Sequence, residues 1–279
     1  MEIANVEAAA AWDGDEGDHW AEHADRYERS TARHRPHLVN PLSIRPGDRV
    51  IDIGCGTGRT TLEAARLSSE GSALGVDLSS KMIARAKERA RDEGVGNATF
   101  VQGDAQVHRF HPAAADVAIS LYGAMFFGDP IAALTNIARG LRPGGRLALL
   151  AWRELDRNEW LTTVRGALAL GRDLPTPPAD GPTPFSMADP DRVRRRLTRS
   201  GFKDVQLDPV DEPAELGADA DDAFSWFHTV GIVKGLLQGV DDAGRSQALA
   251  NLRAAFEEAE TPEGVLLGTS AWLITATRA

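Results

Sequence analysis

The run Val50-Ile51-Asp52-Ile53-Gly54-Cys55-Gly56-Thr57-Gly58 decides how the rest of the chain is read. A short β-branched stretch ends in three glycines at every second position, and a helical pattern, TTLEAARLSSE, follows from Thr60. A strand feeding a glycine-rich turn that opens a helix lets a ligand approach the backbone where side chains would otherwise stand. Dinucleotide-binding turns use the same device, so the turn alone does not choose the ligand. Two details narrow the choice. The spacing is G-x-G-x-G rather than G-x-G-x-x-G, and Asp52 precedes the first glycine by two positions. A carboxylate there repels a pyrophosphate and suits a cofactor with positive charge.

Outward from the turn, strand and helix patterns alternate. SALGVDLS is a second strand ending at Asp77, SKMIARAKERARDEG an amphipathic helix, NATFVQGDA a third strand and ADVAISLYGA a fourth. DPIAALTNIARGL is a further helix and GGRLALLAWR a fifth strand. Helical segments of this length between strands mean βαβ units, hence a parallel sheet with helices on both faces. Asp77, at a strand end, suits the two hydroxyls of a ribose. Asp104 and Ala105, after the third strand, suit the edge of an adenine: the carboxylate accepts from the amino group and the next N–H donates to a ring nitrogen. The sequence therefore predicts a nucleoside cofactor.

These segments resemble the class I S-adenosylmethionine-dependent methyltransferases. VIDIGCGTG is similar to their first motif, GVDLSSKM to the acidic motif of the second strand, VQGDA to the adenine motif, and LRPGGRLAL to the approach to strand five. Within that superfamily, SLYGAMFFGDPIAALTNIARGLRPGGRLALLAWR is similar to a bacterial subgroup acting on small molecules. The resemblance implies an α/β, Rossmann-like, seven-stranded sheet with its last strand antiparallel, DVQLDPV and AWLITAT forming the final pair. It implies that Gly54, Gly56 and Gly58 line the methionine and ribose portion of S-adenosylmethionine, with Asp77 on the ribose. Leu78 and Met82 would pack near the adenine, Asp104 and Ala105 would read its edge, and the Ser120 carbonyl would approach the methionine amino group. Tyr27, Asp52 and Thr57 are grouped with these as cofactor-binding residues.

The 279 residues are 42% hydrophobic and 26% charged, which excludes disorder as the dominant state and suits one large domain. Residues 1–45 are expected to form an N-terminal helical cover, with His19 to Ser30 one helix and Trp20 and Tyr27 on one face of it. Residues 46–153 are the cofactor core. Residues 154–279 hold a proline-rich loop, a helical cap and the strands that complete the sheet. With 41 acidic against 31 basic residues and a net charge of -10, a phosphate-tracking surface is disfavoured, so no nucleic-acid substrate is expected. Cys55 is the single cysteine, so neither an internal disulfide nor a multi-cysteine metal site is available, and no metal is expected. The N-terminus lacks the pattern of a signal peptide and no run of about 18 apolar residues occurs, so a cytoplasmic chain away from membranes is expected. A monomer or a homodimer both fit.

A sulfonium methyl donor is already activated, and holding a nucleophile in line with the S–CH3 bond contributes most of the catalysis. A general base helps where the nucleophile is weakly acidic, and His19, His23, His37, His228 and Tyr122 are candidates. Tyr122 leads, because it follows strand four, with His19 second. Aromatic and Met side chains cluster where an acceptor pocket belongs, and Tyr122, Phe126, Trp152, Phe185 and Phe227 are the expected lining. A small, partly apolar or aromatic acceptor of the kind found in secondary metabolism is thus expected, methylated on O, N or C. Cyclisation with the cofactor retained as a spectator, and NAD-dependent oxidation, are the alternatives; Asp52 and the glycine spacing disfavour the second.

Overall fold

The computed structural model describes residues 2–178 and 181–279. Five strands alternate with helices in the order read from the sequence: β1 (Arg49–Ile53), α5 (Arg59–Leu67), β2 (Ser72–Asp77), α6 (Ser80–Asp92), β3 (Ala98–Gln102), β4 (Ala115–Leu121), α7 (Pro130–Gly140) and β5 (Leu141–Trp152). Capping marks the helix starts. The Ser79 hydroxyl accepts from the Met82 N–H, and the Asp129 carboxylate accepts from Ile131 and Ala132. Each such cap is worth about 1 kcal/mol.

Beyond β5 come α8 (Glu159–Ala169), α9 (Pro190–Arg199), β6 (Phe202–Gly217), α10 (Ala220–Phe227), α11 (Gly231–Leu236), α12 (Asp242–Glu258), β7 (Glu260–Thr261) and β8 (Gly264–Arg278). The sheet order is β3-β2-β1-β4-β5-β8-β6. β1 to β5 pair in parallel, and β8 runs antiparallel to both β5 and β6. The expected seven-stranded sheet with its last strand reversed is therefore present. One addition was not foreseen: the two-residue β7 pairs with the start of β8, making an eighth strand. Val117, Ile119, Leu147, Leu149 and Leu150 are buried in the centre, as near-continuous apolar strands in a two-faced sheet must be.

Residues before β1 fold as α1 (Val6–Trp12), α2 (Asp15–Glu22), α3 (Ala24–Ser30) and α4 (Arg35–Val39). The single helix expected from His19 to Ser30 is corrected here: the chain breaks at His23. At the break the His23 ring donates from Nδ1 to the His19 carbonyl at 3.0 Å, alongside the backbone N–H of His23. The side chain thereby caps α2 back onto itself. Trp20 and Tyr27 still meet, stacked at 3.5 Å between centroids and 8° between planes.

Candidate active site

The carboxyl ends of four adjacent strands carry the predicted groups. In sheet order these are Asp104 after β3, Asp77 on β2, the glycine turn after β1 and Tyr122 after β4. Gly54, Gly56 and Gly58 all have positive φ, at 66°, 53° and 86°. Two of them are also needed for close packing. A Cβ on Gly54 would sit 2.8 Å from the Gly123 Cα, and one on Gly58 would sit 2.8 Å from Ala86 and Phe100. A Cβ on Gly56 would meet nothing nearer than the Met82 sulfur at 3.8 Å, so this glycine keeps backbone open at the strand edge.

Asp52 is 1% exposed. Its Oδ2 accepts from the Thr61 hydroxyl at 2.7 Å, while Oδ1 is buried with no protein partner. Burial, with Asp77 and Glu63 adding repulsion, pushes its carboxyl up to about 7 against the pull of Thr61. Asp77 accepts from the Gly56 N–H at 2.8 Å and the Ser79 N–H at 2.9 Å, so it pins the turn to the start of α6; burial outweighs these bonds and raises its pKa. Cys55 is buried and burial pushes its thiol well up, which makes it an inert filler at the turn.

Asp104 is buried, and its Oδ2 accepts from the backbone N–H groups of Ala4 and Asn5, both at 2.9 Å. The N-terminus thus lies against the position predicted to read adenine. Ala105 and Met82 are buried in the core, and the Leu78 carbonyl accepts from Gln102 at 2.9 Å. The Ser120 hydroxyl donates to the Ile53 carbonyl at 2.6 Å and accepts from Ala124, tying β4 to β1. The Thr57 hydroxyl donates to Glu28 at 2.9 Å, and Glu28 also pairs with Arg59 and the buried Arg89. This ionic knot clamps α3 onto the turn. The sequence reading missed Glu28 and Arg89 because their contact spans 61 residues and has no local signature.

The acceptor candidates fall into one aromatic belt. Centroid distances link Phe126 to Trp12 (5.2 Å), Trp12 to Trp20 (5.8 Å), Trp20 to Tyr27 and Tyr27 to Trp226 (5.2 Å). They continue from Trp226 to Phe227 (5.3 Å), Phe227 to Trp160 (6.3 Å), Trp160 to Trp152 (6.1 Å) and Trp152 to Tyr122 (3.9 Å). Phe185 joins from the side, buried with Leu161 and Ala188 against Trp152 and Trp160. Trp12 and Trp160 were not foreseen. Tyr122 adopts φ 63°, a left-handed conformation that costs a bulky residue of order 1–3 kcal/mol and recurs at functional sites.

Of the histidine candidates, His19 lies 6.0 Å from Tyr27 with its Nε2 buried and unpartnered, and burial, reinforced by His23, lowers its pKa. His37 instead pairs with Glu212 at 2.8 Å, and His228 is exposed with Nδ1 donating to the Phe224 carbonyl. Neither joins the belt by a ring contact. Among the described residues, eight buried side-chain polar atoms lack a partner, and six are on this belt or its histidines: His19 Nε2, Tyr27 OH, His34 Nδ1, Tyr122 OH, Trp160 Nε1 and Trp226 Nε1. Folded proteins pair nearly all such atoms, and here six of the eight fall together.

The family described as "Methyltransferase domain" matches residues 50–145. Those residues run from β1 to the start of β5 and are similar to that family. Curated proteins are similar to part of the chain. The 27-O-demethylrifamycin SV methyltransferase of Amycolatopsis mediterranei (strain S699) is 33% identical over 132 residues, 47% of this chain and 48% of that protein. The aklanonic acid methyltransferase DauC of Streptomyces sp. (strain C5) is 35% identical over 112 residues, 40% of this chain and 51% of that protein. The chain thus spans about half the length of these curated relatives. The likeness in fold extends further: the YcgJ protein of Bacillus subtilis superposes with a TM-score of 0.60 at 20% identity, covering 88% of this chain and 98% of that one.

Proposed function

We propose that the chain is an S-adenosylmethionine-dependent methyltransferase acting on a small oxygen-bearing aromatic molecule. The observation that carries this is the order of groups along the strand ends. Asp104, expected at the adenine, Asp77, expected at the ribose, the glycine turn and a strained tyrosine lie on neighbouring strands in the order of the cofactor's own parts. The donors present fit that molecule. Asp52 Oδ1 is a buried oxygen without a protein partner beside the turn, suited to the amino group or its water. Each Asp77 oxygen accepts one N–H and has a second lone pair for a ribose hydroxyl. When bound, the cofactor supplies an electrophilic methyl. The chain's residues hold the acceptor in line with it and exclude water.

The acceptor class rests on the belt. Stacked and edge-on rings give an apolar, aromatic surrounding, and its unpartnered hydroxyl, indole and imidazole atoms match an aromatic carrying several oxygens. The names of the rifamycin and aklanonic acid relatives point to the same chemistry and to secondary metabolism. Methyl transfer is favoured over a cyclisation by these same relatives. Among the described residues, no helix is long and apolar enough to cross a membrane. We read the chain as a cytoplasmic monomer or homodimer whose acidic balance favours a small molecule over nucleic acid.

Isothermal titration tests the cofactor half. Wild-type chain is expected to bind S-adenosylmethionine with one site, and Asp77→Ala to weaken it at least tenfold; equal affinity in the two proteins, or no binding, overturns the reading. Release of S-adenosylhomocysteine with a hydroxylated aromatic then separates transfer from a spectator role.

A further inference from the structure

His34, at the start of α4, is 0% exposed and is a titratable group in the belt that the sequence reading passed over. Its surroundings fix which nitrogen holds the proton. The Thr269 hydroxyl on β8 donates to the Glu212 carbonyl on β6 at 2.6 Å. A hydroxyl has one proton to give, so at its 2.8 Å contact with His34 the Thr269 oxygen accepts, and Nε2–H is the donor. The neutral ring therefore has its lone pair on Nδ1, which is buried and meets no protein partner. The same ring stands edge-on to Tyr122 at 5.8 Å and to Trp152 at 5.7 Å, the two rings stacked at the ends of β4 and β5. The Tyr122 hydroxyl is unpartnered too.

Resting on the methyl-transfer reading, we propose that His34 Nδ1 is the general base of this site, receiving the proton of an acceptor hydroxyl, and that Thr269 is the positioning residue that holds the ring in the required tautomer. The step balances as follows. The acceptor oxygen forms its new bond to the methyl carbon as the carbon–sulfur bond breaks, the bonding pair staying on sulfur. The hydroxyl proton moves to Nδ1 and leaves later to water. Burial pushes His34 down to about 4, helped by His37 and opposed by Glu212, so the ring is neutral at physiological pH with its lone pair available. A ring so disposed still accepts the proton, because one positive charge leaves the sulfonium as one appears on the imidazolium. The site's net charge is unchanged across the step.

The test uses the full chain labelled with nitrogen-15 at histidine and 1-naphthol as the hydroxylated probe. His34 resonances, assigned by their loss in His34→Gln, are expected to report a protonated Nε2 and a bare Nδ1. 1-Naphthol should shift Nδ1, and naphthalene, with no hydroxyl, should not. Thr269→Val should mix the two tautomers and Thr269→Ser should restore the single one, a response that loss of packing alone would not give. In turnover with S-adenosylmethionine and 1-naphthol, His34→Gln retains a group for Thr269 but removes Nδ1, and kcat should fall about 100-fold with cofactor affinity unchanged. A proton on Nδ1, equal shifts from both probes, or a His34→Gln kcat within twofold of wild type overturns the assignment. If wild-type chain releases no S-adenosylhomocysteine, the methyl-transfer reading fails, and the nitrogen shifts alone decide the His34 contact.

Discussion

A carboxyl held away from water, as Asp52 is, ties the glycine turn to pH. Its folded pKa of about 7 lies above the unfolded value of 3.8, with burial the largest cause. A raised carboxyl binds its proton more tightly in the folded chain, so its contribution to stability is complete below the unfolded pKa and is lost as pH rises through the folded one. Measured against Asp52→Asn, the cofactor-free wild-type chain should therefore lose stability, by roughly 2–4 kcal/mol, between about pH 4 and pH 7; the opposing titration of His34 and that of Asp77 are common to both proteins. Urea denaturation of the two proteins at a series of pH values measures that difference; parallel curves would refute it. Asp52 was legible in the sequence because its neighbours in space are its neighbours in the chain. The strain at Tyr122 and the tautomer of His34 were not. The first is a backbone angle imposed where β4 meets β5, and the second depends on Thr269, 235 residues away.

Strands and helices were the readable scale wherever periodicity was local. β1 to β5 follow runs of apolar residues bounded by glycine or aspartate, and β6 tolerates Pro209 and Pro213 because it is the sheet's edge strand, with one side free of ladder bonds. The break between α2 and α3 was not legible, since no glycine or proline marks it and a histidine side chain makes it. The N-terminal arm was equally opaque. Its Ala4 and Asn5 amides occupy Asp104, Asp13 accepts from the Ser80 N–H at 2.7 Å, and Glu28 closes the knot at Thr57. On the proposed reading, the first of these contacts would compete with an adenine amino group for one carboxylate oxygen. Saturating the chain with S-adenosylhomocysteine should accordingly speed hydrogen exchange at the Ala4 and Asn5 amides, which lose their acceptor, while the Glu28 knot stays protected. Unchanged exchange at both amides would mean that adenine is not read by Asp104.

Across the whole molecule, the glycine turn with Asp77 and the cap side of the aromatic belt are supported by different apolar clusters, while Tyr122, Phe126 and Trp152 pack with the sheet. Asp77 and the glycine turn rest on the sheet with α5 and α6, through Ile53, Leu62, Ile83 and Phe100. Trp226, Phe227 and the partly buried Trp160 and Tyr27 belong to a second cluster built on α8, α10 and α12, with Phe256 at its centre. The cover and the cap are tied to each other by the Arg26–Asp222 ion pair and the Tyr27–Trp226 contact. Damage to one cluster should therefore separate the two functions. Phe256 is 0% exposed and packs edge-on to Phe227 at 5.6 Å, so Phe256→Ala removes about 3–5 kcal/mol of stability from the cap. Its affinity for S-adenosylmethionine should fall far less than its turnover, because Tyr27 alone of the expected cofactor groups leans on that cluster. Its turnover of a hydroxylated aromatic should fall at least tenfold, since Phe227, Trp226 and Trp160 lose their backing. Ile119→Ala, in the sheet between β1 and β5, is the control: it should weaken cofactor binding along with stability. Thermal denaturation and calorimetry on the two variants distinguish the outcomes. Equal loss of cofactor affinity in both would show that cap and sheet form one energetic unit, and the acceptor belt could then no longer be assigned to the cap.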